Sequence, residues 1–393
     1  MKPVALIGGL LACGLTVTSV AQGPTPRVAV PSIAGKIMTV NGPIAPDQLG
    51  TTITHEHIFI DFTVPNETPE SWAETGRVKP VGATALGLYH APLSLDNVGA
   101  VTMGAANRDN YLLLDEQVAI REVAQFKQYG GHGIVDTTSI GLKRDPQALR
   151  RVSNATELHV VMGASWYRRG WFDEAELTRR SVESLTDEIV RDVTVGVGDT
   201  GIRAGIIGEV GTVGAPLVPN EIKIIRASGR ASRLTGAAVT LHTSALLKEQ
   251  PRILDLLADE GADLKRVIVG HSNGIANDLP FMRTLMDRGA YVQFDLLGKS
   301  PTVRTRLADF DVAAGIVEMI KAGYVEKILL SQDVCTKLQL KAYGGSGYSY
   351  IVEYFLPYLK RLGVTDAQVQ TIMVENPRRV LTFVEPAASK ATR

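Results

Sequence analysis

The sequence predicts a (β/α)₈ barrel, a fold in which eight parallel strands alternate with helices around a closed ring. Eight short apolar runs rich in β-branched residues recur along the chain, as expected of parallel strands that are covered on both faces. Helical patterns follow the later runs, and four of these patterns end in glycine, which favours the left-handed conformation that stops a helix. An open, doubly wound sheet is the competing fold, but the number and even spacing of the strands favour the barrel.

The predicted strands begin with TTITHEHIFIDF (51–62), in which isoleucine and threonine surround two histidines. The other seven are GIVDTTS (133–139), LHVVMGAS (158–165), AGIIGEVG (204–211), AVTLHTS (238–244), RVIVGHS (266–272), YVQFDLL (291–297) and KILLSQD (327–333). The glycines that close the predicted helices are Gly236, Gly261, Gly289 and Gly323, each placed shortly before the next strand.

Residues 36–385 are predicted to form this single barrel domain, with three segments beside the regular repeat. An Asn-Gly pair within residues 36–49 predicts a small hairpin that leads into the first strand. Residues 63–112 form a long insertion after that strand; they are rich in turn formers and are expected to be an ordered lid or binding loop. Residues 386–393 are expected to be a frayed tail.

The composition is that of a globular protein, with 393 residues, 45% of them hydrophobic, and a net charge of zero. A clustered basic excess, which a nucleic-acid or acidic-membrane partner would require, is absent from the sequence. We therefore expect a small-molecule substrate and no nucleic-acid partner.

The first residues are typical of a secretory signal. Lys2 is followed by a long apolar run, and Ser19-Val20-Ala21 has the small-x-small pattern of a signal-peptidase site, so residues 1–21 are interpreted as a signal peptide. Two alternatives are an uncleaved anchor and a lipoprotein signal with Cys13 as the lipidated residue. No later stretch approaches membrane-spanning length, so we expect an exported protein, periplasmic or secreted, whose mature chain has no membrane span.

Ligand-type side chains stand at the carboxyl ends of five predicted strands. His55 and His57 share a face of the first strand, because alternate residues of a strand point the same way. The later members are Glu209, His242, His271 and Asp333. A lone histidine at a strand end is usually a core or capping residue. Six such groups at one end of a barrel, however, would converge in a single bowl, where their charges need a cation.

Six protein ligands exceed what one catalytic zinc normally takes, but they suit two divalent ions that share a bridge. The histidine pair of the first strand and Asp333 would hold one ion, His242 and His271 the other, and Glu209 would bridge them. A hydroxide between the ions would be the nucleophile, and Asp333 would take its proton. Zinc is expected, although this ligation also accepts manganese, cobalt or iron.

From about residue 37 to the end, the sequence resembles the phosphotriesterase family of the amidohydrolase superfamily. The stretches that carry the resemblance are TVNGPIAPDQLGTTITHEH (39–57), GIIGEVGT (205–212), VTLHTSA (239–245), VIVGHSNG (267–274) and ILLSQD (328–333). Founding members bridge their metals with a carboxylated lysine, whereas Glu209 resembles the bridging glutamate of the phosphotriesterase-related branch. The resemblance implies hydrolysis of a carboxylic ester, lactone, amide or phosphotriester, and often a homodimer.

Two departures from the organophosphate-degrading members bear on the substrate. Those enzymes have an aspartate and a histidine that relay the proton away, whereas this chain has Ser272-Asn273-Gly274 after His271 and Leu296 after Asp295. We therefore do not expect efficient phosphotriester hydrolysis.

Three alternatives and two substrate-binding segments complete the prediction. The protein would alternatively be an N-acyl amino acid amidohydrolase rather than an esterase or lactonase, a metal-dependent lyase or isomerase, or a non-catalytic binding protein on a retired barrel. The sequence lacks none of the six ligands, which argues against the last. Tyr167 and Arg168 in SWYRRGWF (165–172), and Tyr343 in the loop after the last strand, are expected to contact the substrate.

Overall fold

The computed structural model of the chain describes residues 32–299, 301 and 306–387. The predicted signal segment, residues 1–21, lies outside the described residues, as does the predicted tail except for Pro386 and Ala387. None of the helices in the described part combines the length and apolar character that a bilayer-spanning helix requires.

The described chain forms a ring of eight parallel strands with helices outside it, which confirms the predicted barrel. The barrel strands are β3 (Thr52–Glu56), β6 (Gly133–Asp136), β7 (His159–Ala164), β8 (Ile206–Gly211), β9 (Val239–His242), β10 (Val267–Val269), β11 (Tyr291–Phe294) and β12 (Ile328–Leu330). Two small antiparallel ribbons accompany them: β1 (Ile37–Thr39) with β2 (Gly42–Ile44), and β4 (Ile60–Asp61) with β5 (Leu112–Leu113). The first ribbon is the hairpin that the Asn-Gly pair predicts.

The ring closes where the first barrel strand meets the last. The amide of Asp333 donates to the carbonyl of His55 at 3.1 Å, and the amide of His57 donates to the carbonyl of Val334 at 3.2 Å. The fully buried carboxylate of Glu56 accepts from the Ser331 hydroxyl at 2.6 Å and from two backbone amides at 2.8 Å each. These bonds across the seam exclude the open sheet that the sequence left as the alternative.

Amphipathic helices cover the outside of the ring. The helices along the repeat are α4 (Glu116–Gln128), α5 (Pro146–Thr156), α6 (Glu174–Arg179), α7 (Val182–Thr194), α8 (Pro219–Thr235), α9 (Gln250–Asp259), α10 (Leu279–Met286), α11 (Asp309–Lys321), α12 (Leu356–Arg361), α13 (Asp366–Gln370) and α14 (Asn376–Leu381). The glycine after α8, Gly236, has a φ of +75°, and Gly289 after α10 has a φ of +105°. Both therefore have the left-handed conformation that the sequence predicts at a helix stop.

The insertion at 63–112 is ordered and lies at the mouth of the barrel. It contains three short helices, α1 (Pro69–Thr75), α2 (Ala83–His90) and α3 (Val98–Thr102), and buries Trp72 against Tyr89. Lys337, in the loop after β12, donates to Asp109 of the insertion at 2.7 Å. The insertion is thus held against the loop that follows the last strand, and it forms one wall of the cavity described below.

Candidate metal centre

The structure brings all six predicted ligand residues together at the carboxyl end of the barrel. His55 belongs to β3, Glu209 to β8 and His242 to β9. His57 follows directly after β3, His271 lies two residues after β10, and Asp333 lies three residues after β12. The side chains of His55 and Glu209 are only 0% and 2% exposed, so an imidazole and a carboxylate are both out of water here. Two of these residues, His271 and Asp333, have positive φ values of 55° and 50°, a sparsely populated conformation outside glycine that recurs at functional sites.

Glu209 lies at the centre of the cluster. Its Oε1 is 3.3 Å from Nε2 of His57, whereas its Oε2 is 3.2 Å from Nε2 of His55 and 3.0 Å from Nδ1 of His242. Oε2 is also 3.8 Å from Nε2 of His271. The two oxygens of one carboxylate thus face different groups of imidazoles, as a bridging ligand requires.

The remaining contacts complete two groups around that carboxylate. Oδ1 of Asp333 is 3.3 Å from Nε2 of His57 and 3.9 Å from Nε2 of His55. On the other side, Nδ1 of His242 is 2.7 Å from Nε2 of His271. Geometrically, His55 belongs to both groups, because its ligand atom is within 4.8 Å of those of His57 and Asp333 and also of those of Glu209 and His271. The sequence-based division assigned it to the first group alone.

The chemistry of these donors fits bound cations. Nε2 of His55 is buried and lies 3.2 Å from Oε2 of Glu209, but it makes no hydrogen bond of good geometry, which is costly for a buried polar atom. Ring nitrogens and carboxylate oxygens are also the ligands that zinc and similar ions prefer. The residues present therefore fit the metal cofactor that the sequence predicts.

Burial and charge act against each other in the centre. Burial favours a neutral Glu209, but the neighbouring imidazoles of His242 and His55 hold its pKa well below the usual range. Burial likewise opposes charge on His57, yet the Asp333 and Glu209 carboxylates raise its pKa to about 10. The protein alone thus balances carboxylates with protonated imidazoles, a balance that cations would replace.

A layer of partners behind the ligands fixes the orientation of the imidazoles. Asp295, fully buried after β11, accepts from Nδ1 of His271 at 2.9 Å and lies 3.4 Å from Nδ1 of His55. The Gln293 amide lies 3.1 Å from the same His55 nitrogen, and the Thr138 hydroxyl lies 2.9 Å from Nδ1 of His57. These contacts turn Nε2 of each ring toward the centre, as outer partners of metal-bound histidines do. The sequence analysis did not predict these orienting residues. Asp295 could have been found, because it is a charged residue directly after a barrel strand, as several of the ligands are.

A cavity of about 770 Å³ opens above the centre. Its lining includes ligand residues, the insertion, and apolar side chains such as Phe62 and Leu296. Lys299 enters it beside the centre, where its Nζ is 3.0 Å from Oδ2 of Asp333. Gly274 and Leu296 also line the cavity, and neither side chain can accept or donate a proton.

The predicted substrate contacts divide between two cavities. Tyr167 and Arg168 line the large cavity, and the Tyr167 hydroxyl is 3.4 Å from both ring nitrogens of His242. Tyr343 does not line it: the ring borders a separate cavity of about 60 Å³ beside Leu340. Tyr343 thus lies outside the lining of the large cavity, in the loop after β12 that contacts the insertion, and its contact with the substrate stays a prediction.

The fold and the centre together place the protein in the class of metal-dependent hydrolases. The chain belongs to the phosphotriesterase family, whose model matches residues 35–381. It is 35% identical to an N-acetyltaurine hydrolase of Dictyostelium discoideum over 369 residues, which cover 89% of this chain and 99% of the relative.

Two solved structures share the whole architecture. A resiniferatoxin-binding protein from Rhodobacter sphaeroides superposes with a TM-score of 0.81 and 36% identity, covering 89% of this chain and 96% of that chain. A phosphotriesterase homology protein from Escherichia coli, complexed with phosphate in its active site, gives a TM-score of 0.70 and 28% identity over 85% of this chain and 99% of that chain.

Proposed function

We propose that the protein uses two divalent ions, such as zinc, to hydrolyse the amide bond of a small N-acylated amine. The position of Glu209, with one oxygen toward each group of imidazoles, carries the proposal of two ions. The preference for an amide rests on similarity to relatives named N-acetyltaurine hydrolases. The missing proton relay at Gly274 and Leu296 argues against a phosphotriester.

The residues that would hold the ions are the six of the centre. When bound, the ions supply an activated water at neutral pH and polarise the acyl carbonyl. Asp333 accepts the proton that the attacking water releases and delivers it to the departing nitrogen. The carbon–oxygen bond forms first, the carbon–nitrogen bond then breaks as the nitrogen receives the proton, and the products are a carboxylic acid and an amine.

Tyr167 is placed to orient the substrate. Burial, reinforced by the charge of Glu209, raises the pKa of the Tyr167 hydroxyl well above its ordinary value. The hydroxyl therefore stays protonated and can donate a hydrogen bond to the acyl oxygen. Its position beside His242 sets that oxygen on the side of the centre held by His242 and His271.

The test is a substrate comparison on purified protein whose metal content has been measured. Metal analysis should find two equivalents per chain, and N-acetyl amides should turn over at least tenfold faster, by kcat/KM, than γ-lactones, aryl esters or paraoxon. A single equivalent would contradict the bridge. Faster turnover of a lactone or ester than of every amide would overturn the amide assignment.

We also propose that the chain is exported. The support is the charged Lys2, the apolar run that follows it, and the cleavage pattern that ends at Ala21. Amino-terminal sequencing of the mature protein should start at residue 22, and a cytoplasmic protein that retains Met1 would contradict the proposal.

A further inference from the structure

Among the described residues, one lysine and one arginine line the catalytic cavity, and they differ in their partners. Lys299 pairs with Asp333. Arg168 is half-buried in the wall, and no carboxylate of the described chain lies within ion-pair distance of its guanidinium group. A charge that is partly removed from water and left unpaired is costly unless a ligand completes it.

The neighbouring Arg169 is paired with carboxylates outside the cavity centre. Its guanidinium group contacts Glu74 at 2.9 Å and Glu174 at 3.3 Å. Glu74 is a carboxylate of the cavity wall, and this pairing leaves it turned toward Arg169. Two adjacent arginines thus have opposite roles in the structure: Arg169 ties the loop after β7 to the insertion, whereas Arg168 faces the cavity.

The guanidinium group of Arg168 is held in a fixed orientation. Its central carbon lies 4.4 Å from the centre of the Trp171 ring and 5.7 Å from that of Tyr167, and Nη2 donates to the Thr75 carbonyl at 3.3 Å. Stacking on an aromatic face leaves the N–H groups at the edge of the guanidinium plane free. The hydrogen bond to the Thr75 carbonyl uses only one of the five N–H donors of this forked group. A fork fixed in this way suits a carboxylate or sulfonate, which accepts two parallel hydrogen bonds.

Arg168 also lies on the side of the centre where the amine would leave. Tyr167, its neighbour in the chain, contacts His242. Arg168 and His242 line the same cavity. An acyl group bound at the centre would therefore have its amine substituent within reach of Arg168.

From these contacts we propose that Arg168 binds an anionic group on the amine side of the substrate. The preferred substrates are N-acyl amino acids and N-acyl aminosulfonates rather than neutral or cationic amides. This inference rests on the amide hydrolysis proposed above. Arg168 would then determine which amides are preferred, although all of them have the same bond to be hydrolysed.

The test compares three amides that differ only in the end group: N-acetyltaurine, N-acetyl-β-alanine and the neutral N-acetylethanolamine. The metal-loaded wild type should favour both anionic amides over the neutral one by about 10–100-fold in kcat/KM, the ratio expected for a charge-assisted pair. Arg168→Gln should abolish that preference by raising KM for the anionic amides, with little change for the neutral amide. Arg169→Gln is the matched control and should keep the preference.

Binding measured without turnover gives a second readout. Calorimetric titration of the metal-loaded protein with propanesulfonate should show affinity about tenfold weaker for Arg168→Gln than for Arg169→Gln. Any binding of the anion to the metals is common to both variants and cancels in the comparison.

The possible outcomes distinguish a failure of the Arg168 proposal from a failure of the proposed amide hydrolysis. If the wild type hydrolyses no amide, the proposed function fails, and the propanesulfonate titration still decides whether Arg168 binds anions. If the wild type hydrolyses all three amides equally, or if Arg168→Gln keeps the preference for anions, the assignment of Arg168 is wrong while amide hydrolysis stands.

Discussion

Asp295 offers a sharp test of how the protein holds its metals. Its carboxylate is fully buried and contacts one ring nitrogen of His271 at 2.9 Å and one of His55 at 3.4 Å. Gln293 donates to the same carboxylate at 2.8 Å. Asp295→Asn keeps the shape but removes the charge, and it places an amide donor where a second acceptor stood.

The expected loss follows from the number of rings affected. Removing one outer partner of a metal-bound histidine typically costs 10–100-fold in metal affinity, or about 1.4–2.7 kcal/mol. Asp295 orients His55, which lies between the two groups of ligands, and His271, which belongs to the second group. The affinity of the centre for both ions should therefore fall by at least that factor. Competition with a chromophoric zinc chelator measures the affinity, and turnover with metal in excess should recover in part.

The control is Asp309→Asn, since Asp309 accepts from the Gly298 amide and the Tyr350 hydroxyl and touches no ligand of the centre. The melting temperature of the metal-free protein shows whether either change disturbs the fold. An Asp295→Asn protein that is folded and binds zinc within threefold of wild type would refute the argument that this carboxylate sets the imidazoles.

Three further changes test other parts of the structure. Glu209→Gln should lower the occupancy of both ions together; two equivalents retained by metal analysis would count against a bridging role. Asp333→Asn should lower kcat by at least about 10²-fold, as loss of a general base does, and near-normal turnover at full metal occupancy would contradict its role. Glu56→Ala should leave the Ser331 hydroxyl and two backbone amides unpaired, at about 1–3 kcal/mol each. Calorimetry should therefore show a melting temperature lower by roughly 4–11 °C, while Glu116→Ala, which removes an exposed ion pair with Arg151, should leave it unchanged.

The metal ligands could be predicted because each one follows or interrupts an apolar run that is visible in the sequence. A histidine or carboxylate that ends an apolar β-branched run must lie at the mouth of a barrel once the run is a strand. His55 and His57 are two residues apart and so share a face, and Glu209 interrupts an otherwise apolar strand. The strand period and the barrel topology were therefore enough to predict that ligands far apart in the sequence lie close together in the fold.

The orienting partners could not be predicted, because their role depends on which strands become neighbours. Gln293 of β11 reaches His55 of β3 across the barrel interior, a contact over 238 positions that no local pattern encodes. Lys299 meets Asp333 for the same reason. Tyr343 is a residue whose surroundings could not be predicted either. The sequence places its glycine-rich loop after the last strand, but that loop contacts the insertion, and Tyr343 borders the smaller cavity. No local sequence pattern indicates such a contact between distant segments.

The seam between the first and last barrel strands makes the metal centre a product of the finished chain. His55 and Glu56 leave the ribosome early, yet their partners Ser331 and Asp333 are made almost three hundred residues later. A growing polypeptide therefore lacks Asp333, one of the two carboxylates that face the histidine pair, and lacks the donors that satisfy the buried Glu56. The six candidate ligands therefore come together only in a chain that has been made past Asp333 and has closed its ring.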